Sequence, residues 1–182
     1  ALALVTTHPE DVRTLVAHEP PALTVLPDAD QAQAAWGRVN EVYQDRGWGA
    51  GMAAFIALTS WEGEFPEGFG SEAPDPSAFG LPPEDDGARD DPLLSGVSAP
   101  VTAYRPDVRA LTAASTRVVL AAGIESKGTL TWRATEALAA ALGRELIVFP
   151  SNHGGFLGDE FGMPGQPEAF AARLREVLAG EA

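Results

Sequence analysis

The chain has 182 residues, 45% of them apolar, with no cysteine and a net charge of −14 from 12 basic and 26 acidic side chains. That length supports one substantial core with room for an inserted lobe. The charge opposes binding to a phosphate backbone or an anionic membrane, and the missing cysteines exclude disulfides, zinc–thiolate sites and cysteine nucleophiles.

In chain order, the opening run "ALALV" reads as a helix that breaks at His8-Pro9, because a residue before proline is pushed out of the helical region. "VRTLVAHEPP", residues 12–21, reads as a short buried strand stopped by two prolines. Over 28–46 the apolar residues Ala32, Ala35, Trp36, Val39 and Tyr43 fall three and four apart, which predicts a helix with Gly47 as its C-terminal cap. A second apolar helical stretch follows around Met52, Phe55, Ile56 and Leu58. The aromatics Trp36, Tyr43, Phe55 and Trp61 are expected in the core of this region. Residues 61–95 hold six prolines with many glycines and acids, and show no period. They predict a long irregular segment, its acids Glu84, Asp85, Asp86, Asp90 and Asp91 solvated and mobile.

Regular structure resumes at Arg105-Pro106-Asp107, a helix start with proline in first place. "RVVLAA", 117–122, suits a buried parallel strand. A helix with an apolar stripe follows over 130–142 and ends at Gly143, then a strand over 145–149 and a last helix over 167–178. Alternation of this kind predicts an α/β fold: a parallel sheet flanked by helices, with a helical and irregular insertion after its first strand. No apolar run reaches the ~20 residues of a membrane span and no signal segment is visible, so a soluble cytoplasmic protein is expected.

In such sheets, ligands and reacting groups gather at the carboxyl ends of the strands. The first strand ends in "AHEPP", offering His18 and Glu19. The second ends in "AAGIESKG", offering Glu125 and Ser126. The third ends in "FPSNHGGF", offering His153. A carboxylate loop beside a histidine loop is what general base catalysis needs, since the carboxylate holds the imidazole tautomer and stabilises the imidazolium. Pro150 stops the strand, Gly154 and Gly155 are expected to bend the loop sharply, and Asn152 to orient it. Asp159 and Glu160 read as solvated, His8 as a surface residue, and His18 as pointing across the sheet.

At these residues the chain resembles the α/β-hydrolase fold family, as the last three strands and closing helix of that fold. "VRTLVAHEPP" is similar to the family's sixth strand, 28–95 to its variable cap and "RVVLAAGIES" to the seventh strand with the acid turn. "ELIVFPSNHGGF" is similar to the eighth strand with the histidine loop, and "PEAFAARLREVL" to the final helix. The resemblance implies a core over 1–27, a cap or lid over 28–98 and a second core segment over 99–182. It also implies His153 as the catalytic base and Glu125 as the acid. The family's acid is most often an aspartate three residues after the glycine ending the seventh strand. Here that place holds Ser126, with Glu125 one earlier and Glu19 in reserve after the sixth strand.

The family's G-x-S-x-G nucleophile elbow does not occur in these 182 residues. The helix-like "ALALVTTHPEDV" is similar to the segment just after that elbow, which implies that the serine and the oxyanion-hole amides lie upstream of Ala1. The activity implied is cleavage of an ester or related carbonyl bond in a small, largely apolar substrate, with no metal or organic cofactor. The N-terminal half of the same hydrolase, as upstream sequence or a separate chain, would be the partner. The alternative is a catalytically silent protein of this fold that binds a small molecule or regulates. A dinucleotide-binding or flavodoxin-like domain is disfavoured, because no glycine-rich phosphate loop joins a strand to a helix.

Overall fold

The computed structural model describes residues 1–158 and 164–180. In chain order its regular elements are α1 (Leu2–Thr7), β1 (Thr14–His18), α2 (Ala29–Thr59), α3 (Ala99–Thr102), α4 (Val108–Ala113), β2 (Arg117–Gly123), α5 (Leu130–Ala141), β3 (Leu146–Phe149) and α6 (Pro167–Ala179). They divide into two compact units, one of Ala1–Pro21 with Arg105–Ala182 and one of Ala22–Tyr104. The divisions at 21/22 and 104/105 lie six residues outside those expected at 27/28 and 98/99. A hydrogen bond explains part of this: the Thr24 hydroxyl donates to the Tyr104 carbonyl at 2.8 Å, closing the inserted unit at its two ends.

In the first unit the three strands form one parallel sheet in the order β1-β2-β3. This is an α/β arrangement. Thr14 to His18 pair with Arg117 to Ala121, and Leu120 to Gly123 with Leu146 to Phe149. β2 is central and buried from Val118 to Gly123, as a strand covered on both faces must be. On one face Val16, Val119, Ala121, Ile147 and Phe149 pack against Phe170, Leu174 and Val177 of α6. α5 packs on β2, burying Leu130, Ala134 and Leu138 together with Trp132, Thr135 and Ala139. α4 starts at Val108 with Asp107 as its cap, whose carboxylate accepts from the Ala110 amide at 2.9 Å. Pro106 therefore precedes the helix instead of opening it.

In the inserted unit Gly47 does not end the first helix. It breaks α2, with φ 82° and ψ −171° between two helical stretches. Two physical reasons demand glycine there: the positive φ, and the Asp85 carboxylate, into which an added Cβ would run. Residues 61–95 are irregular, as expected, apart from a single-turn helix at Pro76–Phe79. They are pinned to α2. Asn40 Nδ2 donates to the Leu94 carbonyl at 2.7 Å, Trp48 Nε1 to Asp91 at 3.1 Å, and Arg89 Nε to the Gln44 carbonyl at 3.0 Å. Asp91, expected to be solvated and mobile, is thus an anchor that also accepts from the Leu93 and Leu94 amides. Tyr43 is buried as expected, whereas Trp61 keeps 38% of its surface exposed. Among the described residues no helix is long and apolar enough to cross a membrane.

Candidate functional site

All three strands point their carboxyl ends the same way, so the residues that follow β1, β2 and β3 meet at one edge of the sheet. Glu19 follows β1 directly. Its amide still donates to the Ala121 carbonyl at 2.8 Å, extending the ladder by one bond. Its φ of 46° then turns the side chain out of the strand's alternation. That left-handed backbone costs a residue with a Cβ roughly 1–3 kcal/mol, a strain found mainly where geometry is used.

The Glu19 carboxylate is fully buried, and a buried carboxylate is tolerated only when its oxygens are satisfied. They are. Oε1 accepts from the Gly123 amide at 2.8 Å, and Oε2 accepts from the Thr131 hydroxyl at 2.6 Å and from His153 Nδ1 at 3.0 Å. Burial alone would push the carboxyl up, but hydrogen bonds from His153, Thr131, Ser126 and the Gly123 amide outweigh it and hold it below the ordinary glutamate range. Thr131 stands in the first turn of α5, where the positive end of the helix dipole adds in the same direction. An ionised carboxylate only accepts, so Nδ1 of His153 carries a proton towards it, and in the neutral ring this tautomer puts the lone pair on Nε2. The ring itself is 62% exposed. A buried anion behind a half-free imidazole is the arrangement that lets a histidine take up a proton from a neighbouring hydroxyl.

The carboxylate that meets His153 is therefore Glu19 and not Glu125, and the expected pairing is corrected on this point. Glu125 sits in a short helical turn, Ile124–Ser126, after β2. Its Oε1 accepts from Gln166 Nε2 at 3.1 Å, and its Oε2 lies 3.4 Å from both Ser151 Oγ and Asn152 Nδ2. The neighbouring Ser126 donates to Glu19. Thr131, Ser126 and Gly123 had not been singled out as supports for the acid. The sequence signal for them is their placement, Gly123 at the end of β2, Ser126 in the turn after it and Thr131 at the start of α5.

The histidine loop is shaped by sterics more than by its glycines' freedom. Ser151, not Gly154 or Gly155, takes the left-handed conformation, with φ 66°. Gly155 is needed for space, since a Cβ there would lie 3.1 Å from the Phe170 ring and 3.0 Å from the Asn152 carbonyl. Gly123 is needed more strictly. A Cβ on it would run into the Ser151 carbonyl and come within 2.9 Å of Asn152 Cα, so the loop crosses directly over the end of β2. Asn152 closes the turn as expected, its Oδ1 accepting from the Gly154 amide at 2.9 Å.

His18 lies on the α6 face, with its ring 5.6 Å from Phe149, 5.0 Å from Phe170 and 6.4 Å from His153. Its Nε2 is buried and meets no hydrogen-bond partner among the described residues. Burial lowers its pKa against an upward pull from Glu19, and His153 lowers it further, so this ring is neutral at neutral pH. Asp159 and Glu160 lie outside the described residues. His8, Glu10 and Asp11 bring ligand atoms within 4.8 Å of one another, but all three are exposed on a surface turn. Two hollows lie elsewhere. One of about 260 Å³ is bounded by Arg117, Arg144 and Ile147 at the opposite strand ends. The other, of about 300 Å³ in the inserted unit, is lined by Trp61, Phe69, Leu58 and Ala54 with Arg38 and Glu72. Neither includes His153.

The chain matches no family model, no curated protein and no solved structure.

Proposed function

We propose that this chain is the C-terminal portion of a serine-hydrolase-type enzyme of the α/β-hydrolase fold, with His153 as general base and Glu19 as the acid behind it. It acts on an ester or related carbonyl bond of a small, largely apolar molecule in the cytoplasm. One observation carries this: a buried, four-times hydrogen-bonded carboxylate at the end of β1 receives Nδ1 of an exposed histidine at the end of β3. The serine and the oxyanion-hole donors come from residues outside these 182, so that attack, proton transfer to His153 Nε2 and return of the proton to the leaving group follow in order. The inserted unit acts as the cap and selects the substrate. No metal or organic cofactor is required by this chemistry.

The absence of G-x-S-x-G from the 182 residues favours a second reading, a catalytically silent protein of the same fold that binds a small molecule. Turnover separates the two. A panel of short-chain esters is offered to the full natural polypeptide and to His153→Ala. The expected result is hydrolysis that drops about 10³-fold or more in the variant, as for other members of a nucleophile–base unit. No hydrolysis, or a variant within about threefold of the parent, favours the silent reading.

A further inference from the structure

We infer that Glu125 is a positioning residue, a latch that holds the histidine loop over the end of β2 and so keeps His153 on Glu19. The loop needs holding. Ser151 is in the left-handed region at φ 66° while 1% exposed, and a non-glycine residue in that state relaxes unless its neighbours fix it. Glu125 grips it twice: its backbone N–H donates to the Ser151 carbonyl at 2.9 Å, and its carboxylate lies 3.4 Å from the Ser151 hydroxyl. The same Oε2 faces the Asn152 amide nitrogen, one residue before His153. The other oxygen, Oε1, takes Gln166 Nε2 at 3.1 Å, and the Gln166 backbone N–H in turn donates to the Gly155 carbonyl at 3.0 Å. One side chain thereby joins the turn after β2, the turn after Phe149 and the residue that precedes α6.

The donors explain why the residue is an acid. Nitrogen or hydroxyl donors stand on both sides of it, so both of its oxygens must accept. A glutamine offers one acceptor and sets an NH₂ group against another NH₂ group on its second side. The sequence stretch "GIES" holds two hydrogen-bonding side chains at this strand end, and they divide the work: the Ser126 hydroxyl donates to the Glu19 carboxylate, and Glu125 accepts from the loop that carries the ring. Glu125 is exposed, so replacing it leaves no cavity in the core.

The test uses the full natural polypeptide and two readouts. The first is the His153 Nδ1–H proton followed by NMR through its exchange with water, which does not depend on the protein being an enzyme. Glu125→Ala is expected to speed that exchange at least tenfold, and Glu125→Gln to fall between the parent and the alanine variant, while the melting temperature stays within a few degrees. The second readout, which rests on the proposed hydrolase reading, is ester turnover: kcat falls about tenfold to a hundredfold with KM nearly unchanged, as for a misplaced catalytic group. Exchange and turnover both unchanged in Glu125→Ala overturn the latch. Glu125→Gln indistinguishable from the parent overturns the two-sided role of the carboxylate. A parent that hydrolyses nothing while exchange still speeds up in Glu125→Ala overturns the hydrolase reading and leaves the latch standing.

Discussion

Glu19 is the residue on which the site turns, and its physics is directly testable. A carboxyl held below its ordinary value contributes stability that is present above that value and is lost as pH falls through the depressed one. Glutamate's ordinary value is 4.5 here, so the contribution of Glu19 is complete above about pH 5 and fades below 4.5. Glu19→Gln removes the contribution and keeps the volume. Denaturant unfolding is expected to show the variant less stable by about 2 kcal/mol at pH 7, the scale of hydrogen bonds to a charged group. The difference shrinks towards pH 3, and a difference that grows on acidification contradicts the assignment. That Glu19 and not Glu125 meets His153 was beyond the reach of the sequence for a specific reason. Both acids follow strands, and "AHEPP" reads as turn chemistry, whereas the choice depends on a φ of 46° that aims Glu19 under the histidine loop. The place of His153 just past the third strand was legible, because proline, small polar residues and two glycines end the apolar run there.

Elements were the most legible scale wherever apolar spacing was sustained. α5, α6 and all three strands fall within a few residues of where apolar pattern and punctuation put them: α5 and α6 bury the stripe that repeats, and β2, covered on both faces, is a continuous apolar run. The exception is α2. Gly47 was read as a cap because glycine after an amphipathic stretch usually is one, yet the chain passes through it and resumes a helix. A distant residue adds to the demand for glycine at this break: Asp85, held by Arg89 at 2.6 Å, occupies the space beside Gly47, and its carboxyl is pulled down to about 2 chiefly by that hydrogen bond. Gly47→Ala is therefore penalised twice, by positive φ and by collision. Its backbone, positive φ with extended ψ, costs a residue other than glycine roughly 1–3 kcal/mol, and with the collision added the loss in urea unfolding is expected to reach about 3–4 kcal/mol. Adding Asp85→Ala should recover part of that loss, because the collision is with its side chain. Strict additivity of the two changes would show that the collision plays no part.

For the molecule as a whole the decisive feature is an edge. β1 pairs with β2 through Arg13 and Glu19 at its two ends, so by alternation Thr14, Val16 and His18 turn their backbone groups to a side where no described strand pairs. At the other edge the Arg173 guanidinium donates to the Val148 carbonyl at 3.3 Å. Unpaired edges invite a further strand. The hydrolase reading places one there from the rest of the polypeptide. Alone, the 182-residue chain should recruit copies of itself, but its charge of −14 opposes any such meeting. The two effects differ in range. Strand pairing acts at contact, whereas repulsion acts over a screening length that shrinks from about 10 Å in 0.1 M salt to about 3 Å in 1 M. Light scattering at about 100 μM should accordingly show self-association that strengthens as salt is raised. Thr14→Pro removes an outward-facing N–H without touching the ladder to β2, a place where an edge strand tolerates proline, and should return the chain towards monomer at high salt. A monomer at every salt concentration would mean that the β1 edge is protected by something other than charge.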